Sequence, residues 1–304
     1  MGWAWPAVRV VFAAIGAIAV VATGVLLALL PARGQPQSMP APTVVVFKPT
    51  ERPTTAPTAT SMPPTATSTP TAPPTATPTA PPTATPAPVV VDGRVYEAYI
   101  EAATKPAQVY KYSCEFDAAW VVLRTFGLDV SVDDMIDVIG VDERVEPYIE
   151  ERNGQFVIHG GDITTRFSGS YRNNVLARST GAAMRNVFEQ YGLSATPVHD
   201  RAGVEAALRS GSLVWMKTTV DFKPWRPALW LTPEGRTLRT VLGNDHAVVV
   251  IGFNADGVAI RDVLGPTSSN WQRPYEYHVA WETFLRSWSA QDFDGLAVGP
   301  QRTR

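Results

Sequence analysis

The sequence predicts an α+β fold for a C-terminal domain of about 215 residues, carried on a Pro/Thr-rich spacer behind an apolar N-terminal segment. Three observations predict it. Helical patterns come first in the domain and short β-rich runs come later, which is an α+β order. The 27 prolines are concentrated in the first third of the chain. An uninterrupted apolar run, VVFAAIGAIAVVATGVLLALL, occupies residues 10–30.

Residues 1–9 form a short flank ending in Arg9. The run at 10–30 is long enough to span a bilayer as a helix. It exceeds the apolar core of a cleaved leader, and no small-x-small cleavage site stands near LLPARG. An uncleaved transmembrane signal anchor is therefore expected. Arg9 and Arg33 nearly balance, so flanking charge does not orient it. Residues 31–88 are dominated by Pro, Thr and Ala, with TAPPTATP at 71–78 repeated at 79–86. This composition cannot bury a core and predicts a disordered, extended stalk. Such stretches also serve as glycosylated spacers. A stalk beyond an anchor holds a domain off a surface, so the domain is expected outside the membrane, at the cell surface.

The domain spans residues 89–304 and is large enough to bury about 70% of its unfolded surface. Residues 89–106 read as a strap or a linker. Ser113 is a helix N-cap candidate, followed by a helix over 114–126 that stops at Gly127. Ser131 and Asp134 form a capping-box pattern for a helix over 132–139. A polar, glycine-bearing stretch follows at 152–178. Helices are predicted over 181–191 and 201–209. LVWMKTTV (213–220), HAVVVIGF (246–253) and GVAIRD (257–262) read as strands, the last two joined as a hairpin by the Asn254–Gly257 turn. Another turn, Pro233-Glu234-Gly235, separates candidate strands around Trp230 and Leu238. A helix over 279–287 and a strand at 296–298 close the chain.

The net charge of −2 and the lack of a basic cluster point away from nucleic acid. The single cysteine, Cys114, excludes an internal disulfide and a Cys-based zinc site. A lone thiol is either a small buried hydrophobe or a reactive group. A reactive thiol needs a lowered pKa. The first turn of a helix and a histidine from elsewhere both supply that. Glu115 and Asp117 add negative charge beside the thiol, yet suit a helix N-terminus.

Of four histidines, His246 opens the most apolar strand, where it is either a satisfied core residue or a base. Asp262 ends the strand paired with it, so the hairpin brings the two close and offers the orienting contact a catalytic His needs. The alternative is an Asp capping the Gly265–Pro266 turn. Asp245 competes, but neighbouring strand residues face opposite ways. Gln108, six residues before the cysteine, could donate to an oxyanion together with the Cys114 backbone N–H. Trp225 and Trp230 lie in the 221–243 stretch. With the 152–178 stretch they either line a substrate groove or pack against the sheet.

Together these residues resemble the papain-like cysteine peptidases, and most closely stand-alone relatives of the bacteriocin-processing (double-glycine leader) peptidases. The matching segments are QVYKYSCEFDAAWVVLRTFG, TGAAMRNVFEQYG, VEAALRSGSLVWMKT, NDHAVVVIGFNADGVAIRDVLGP and YHVAWETFLRSW, in the family's order over most of 105–290. The resemblance implies Cys114 as nucleophile, His246 as base, Asp262 as its orienter and Gln108 in the oxyanion hole. It implies a papain-like fold, in which a helical lobe carrying the Cys faces an antiparallel sheet carrying the His and Asp. The chain departs from the leader-processing members in having no transporter spans and no phosphate-binding loop, so double-glycine specificity is not implied. Glu115 also stands where papain and the transporter-linked members carry other residues. The expectation is a monomeric, membrane-anchored hydrolase of peptide or amide bonds, acting on a peptide or protein substrate without a metal or organic cofactor. A catalytically inactive papain-fold binding module and a transamidase or cell-wall amide hydrolase remain alternatives.

Overall fold

The computed structural model describes residues 88–266 and 270–301. The apolar run at 10–30 and the Pro/Thr spacer up to residue 87 lie outside the described residues. Among the described residues no helix is long and apolar enough to cross a membrane.

The chain enters through a hairpin of β1 (Val89–Val91) and β2 (Arg94–Tyr96), then β3 (Ala98–Tyr99). The short β3 pairs with the long central strand at Gly252 and Phe253, so part of the 89–106 segment joins the sheet. Three helices follow in the first half of the domain: α1 (Cys114–Thr125), α2 (Val132–Ile139) and α3 (Gly181–Gln190). The capping box of α2 forms as its sequence dictates. Ser131 Oγ accepts from the Asp134 amide at 3.0 Å, and Asp134 Oδ2 accepts from the Ser131 amide at 3.3 Å.

Between α2 and α3 lie β4 (Val141–Asp142), β5 (Tyr148–Arg152), β6 (Gln155–His159) and β7 (Phe167–Ser168). After α3 come β8 (Leu193–Pro197), α4 (Arg201–Arg209), β9 (Leu213–Thr219), β10 (Pro227–Leu231) and β11 (Thr237–Val241). The chain closes with β12 (Asp245–Phe253), β13 (Gly257–Arg261), β14 (Glu276–Ala280), α5 (Trp281–Ser289) and β15 (Gly295–Pro300).

The main sheet has the antiparallel order β14-β13-β12-β9-β15-β8. Every residue of β9 is buried, because helices cover both faces. On one face Trp215 and Val249 pack with Phe116, Val122, Met135 and Val187 of α1–α3. On the other, Met216, Val248 and Ile260 pack with Val204 of α4 and with Phe284 and Trp288 of α5. The expected helical lobe against an antiparallel sheet is present, and two further helices back the sheet.

The stretches read as candidate groove walls contain strands, and the strands expected around Trp230 and Leu238 pair across the Pro233-Glu234-Gly235 turn. Residues 148–159 and 227–241 form a second sheet in the order β11-β10-β6-β5, with β10 and β6 parallel. The closing helix starts at Trp281 rather than residue 279, because 276–280 pair with β13.

Candidate active site

The segment before α1 is tied to the helix by Asp117. Its carboxylate accepts from the Val109 amide at 3.1 Å and from Ser113 Oγ at 2.5 Å, and lies 3.6 Å from Lys105 Nζ. Ser113 occupies the N-cap position as expected, but its hydroxyl serves Asp117 instead of capping the helix. Cys114 is thereby the first helical residue, a position whose N–H has no partner within a helix. Burial raises the Asp117 pKa to about 6, against the lowering effect of Ser113, Val109 and Lys105.

The hairpin of β12 and β13 builds the other side. Val249 pairs with Arg261, so Asp262 continues beside Val248, on the same face as His246 two positions away. His246 Nε2 lies 2.8 Å from Asp262 Oδ1. The Asp262 carboxylate also accepts from the Leu264 amide at 2.8 Å and from Tyr277 Oη at 2.7 Å, and Arg273 stands 3.5 Å away. Burial pushes the Asp262 pKa up, but His246, Arg273 and Tyr277 together hold it well below the usual carboxylate range.

Cys114 and His246 line one cavity of about 300 Å³, together with Gln108, Lys111, Tyr112, Val175, Trp225, Asn244 and Leu264. Cys114 is 7% exposed and His246 1%, so the cavity meets them at its floor. A larger hollow of about 600 Å³ is lined by Asp142, Arg144 and Arg166 instead. There Arg144 is already paired with Asp142 and Glu234.

Gln108 sits at the cavity with its amide end against the Lys111 and Tyr110 carbonyls, 3.1 and 3.2 Å away, which assigns the amide nitrogen to that side. Trp225 lines the cavity and is 48% exposed. Trp230 is fully buried, and the groove expectation for it is corrected. Its ring lies over Gly160, where a Cβ would come within 2.0 Å of it, and its indole N–H donates to Gly161 O at 2.9 Å. It is core of the second sheet, with no surface to offer a ligand.

The thiol environment differs from the expectation of a lowered pKa. Cys114 Sγ donates to Glu115 Oε2 at 3.2 Å. Glu115 Oε1 accepts from Lys217 Nζ at 2.5 Å, and Lys217 also bonds Asp245 Oδ2 at 2.6 Å. Burial and then the Glu115 charge push the thiol pKa well up, and Lys217 only partly offsets them. Asp245 faces Lys217 and Gln291, not His246, as strand alternation requires. Sequence reasoning missed Lys217. Its signal was a lysine inside the apolar run LVWMKTTV, where a buried cation needs a carboxylate partner. Tyr277 and Arg273 carried no such signal. Among the described residues no group of three or more His, Cys, Asp or Glu side chains could hold a metal ion.

A family model described as the Peptidase_C39 like family matches residues 98–295. Among solved structures, a candidate C39-like peptidase from Bacillus anthracis matches with a TM-score of 0.52 at 17% identity, covering 66% of this chain and 94% of that chain. At that identity the likeness is one of fold. No curated protein matches the chain.

Proposed function

The chain belongs to the Peptidase_C39 like family, and from that premise we propose that it is a cysteine-type peptidase or amide hydrolase using Cys114, His246 and Asp262. The observation that carries this reading is the single cavity shared by Cys114 and a His246 ring whose Nε2 is already held by Asp262.

With Nε2 engaged, Nδ1 is the nitrogen left to take the thiol proton. Burial and Glu115 push the thiol pKa up, and in this reading His246 takes the thiol proton as general base during attack. The sulfur adds to the amide carbonyl carbon as the proton moves to Nδ1. The Cys114 backbone N–H, free at the first helical turn, donates to the oxyanion. Gln108 joins it once its amide turns from the Tyr110 and Lys111 carbonyls. The C–N bond then breaks with the proton returned from His246 to the leaving amine. Water, deprotonated by His246, releases the acyl group and restores the thiol.

The membrane-anchored, extracytoplasmic placement forms part of this proposal and rests on the apolar run at 10–30 and the Pro/Thr spacer after it. A monomer acting on peptide or protein is likewise proposed. One observation favours a non-catalytic binding module instead: a buried thiol held by a carboxylate. Turnover of a mixed peptide library by the full chain, read by mass spectrometry, separates the two. Loss of turnover in Cys114→Ala and in His246→Ala supports the hydrolase. Wild-type turnover in either variant contradicts it. Adding a free amine distinguishes a transamidase by the mass of the product.

A further inference from the structure

The residue after the cysteine sits under the thiol rather than pointing into the cavity. Glu115 is fully buried. One carboxylate oxygen accepts from Cys114 Sγ at 3.2 Å, and the other accepts from Lys217 Nζ at 2.5 Å and the Ser179 amide at 3.3 Å. Lys217 is clamped in turn by Asp245 at 2.6 Å. The Glu115 backbone is held as well, since its carbonyl accepts from Trp215 Nε1 at 3.0 Å. With one carboxylate oxygen fixed by Lys217 of β9 and the Ser179 amide, and the backbone carbonyl fixed by Trp215, the other oxygen is left facing the sulfur. The thiol hydrogen bond is therefore imposed by the scaffold.

We propose that Glu115, locked by Lys217, is a positioning residue that restrains Cys114 as a thiol until His246 takes its proton. The charged and titratable groups around the sulfur are Glu115 on α1, Lys217 on β9, Asp245 and His246 on β12, and Lys111 on the cavity wall. Two carboxylates face one buried ammonium, so the balance beneath the sulfur disfavours a further anion. The same restraint should slow adventitious oxidation of the thiol, which follows thiolate character. Its catalytic consequence rests on the hydrolase reading above.

The test uses the lone thiol of the full-length protein and needs no substrate. Iodoacetamide alkylation is followed from pH 5 to 10.5 in wild type, Glu115→Gln and Glu115→Asp. Wild type should react with a midpoint above the ordinary thiol value of about 8.5. Glu115→Gln should lower that midpoint and raise the rate at pH 7.5 by about tenfold, the factor for one pKa unit. Glu115→Asp keeps a carboxylate for Lys217 with a weaker hold on sulfur, and should fall between. A wild-type midpoint at or below about 8.5, or a folded Glu115→Gln protein whose profile overlays wild type, overturns the restraint. If Glu115→Gln does not fold, the wild-type midpoint still decides. An unshifted profile beside Cys114-dependent turnover removes only the restraint. A shifted profile without turnover removes only the hydrolase.

Discussion

Two buried charge networks flank the cavity, and they act in opposite directions. On the sheet side, Asp262 is surrounded by donors: His246, the Leu264 amide, Tyr277 and Arg273. On the helix side, the thiol of Cys114 meets an acceptor, Glu115. Burial raises the pKa of both groups, yet Asp262 is held down and Cys114 pushed up. At Asp262 the surrounding donors and cations outweigh burial; at Cys114 burial leads and the Glu115 carboxylate adds to it. In the proposed mechanism, one network prepares a base by holding its ring, and the other keeps the nucleophile protonated until that base is used.

The largest expected effect breaks the sheet-side network. His246→Ala should cut turnover by about 10²–10⁴-fold, the usual range for a general base, measured by steady-state peptide hydrolysis. Next is the helix-side cation. Lys217→Met leaves Glu115 and Asp245 buried without it and should cost about 3–5 kcal/mol in urea unfolding. The double variant Glu115→Gln/Lys217→Met should recover part of that loss.

The pH dependence sharpens the contrast further. The folded pKa of Asp117, about 6, lies above its unfolded value. Its contribution to stability is complete below about pH 4 and is lost as pH rises through about 6. Asp262 has the opposite sign, contributing above about pH 4 and losing that as acid protonates it. Asp117→Asn should flatten the decline in stability between pH 4 and 7, on the order of 2 kcal/mol, in urea melts at each pH. The smallest effect is Tyr277→Phe. Removing one hydrogen bond to a buried carboxylate should cost about 1.5 kcal/mol and shift acid unfolding to higher pH.

What the sequence made legible was local. Ser131 and Asp134 stand three residues apart, and their capping box forms as read. His246 and Asp262 are joined by one turn, so strand alternation alone brings them together. Of the second sheet only the hairpin around Trp230 and Leu238 was legible; its joining to β6 and β5 was not. Its strands YIEER, QFVIH, PALWL and TLRTV are short, and β6 joins β10 in parallel across a long separation that no local pattern encodes. The burial of Trp230 depends on that pairing. Lys217 meets Glu115 from 102 residues away, so only an out-of-place lysine hinted at the network. The ordinary reading of a helix N-terminus as a thiolate site is opposed here by burial of the thiol and then by the neighbouring Glu115 carboxylate.

The most direct test of the central claim is covalent capture. The full chain is treated with mixed-sequence tetrapeptides ending in a vinyl sulfone, and the adduct is located by mass spectrometry. The account predicts one adduct, on Cys114, that is lost in His246→Ala although iodoacetamide at high pH still labels that variant. Equal capture in wild type and His246→Ala, or no capture by wild type, would contradict a Cys114–His246 hydrolase.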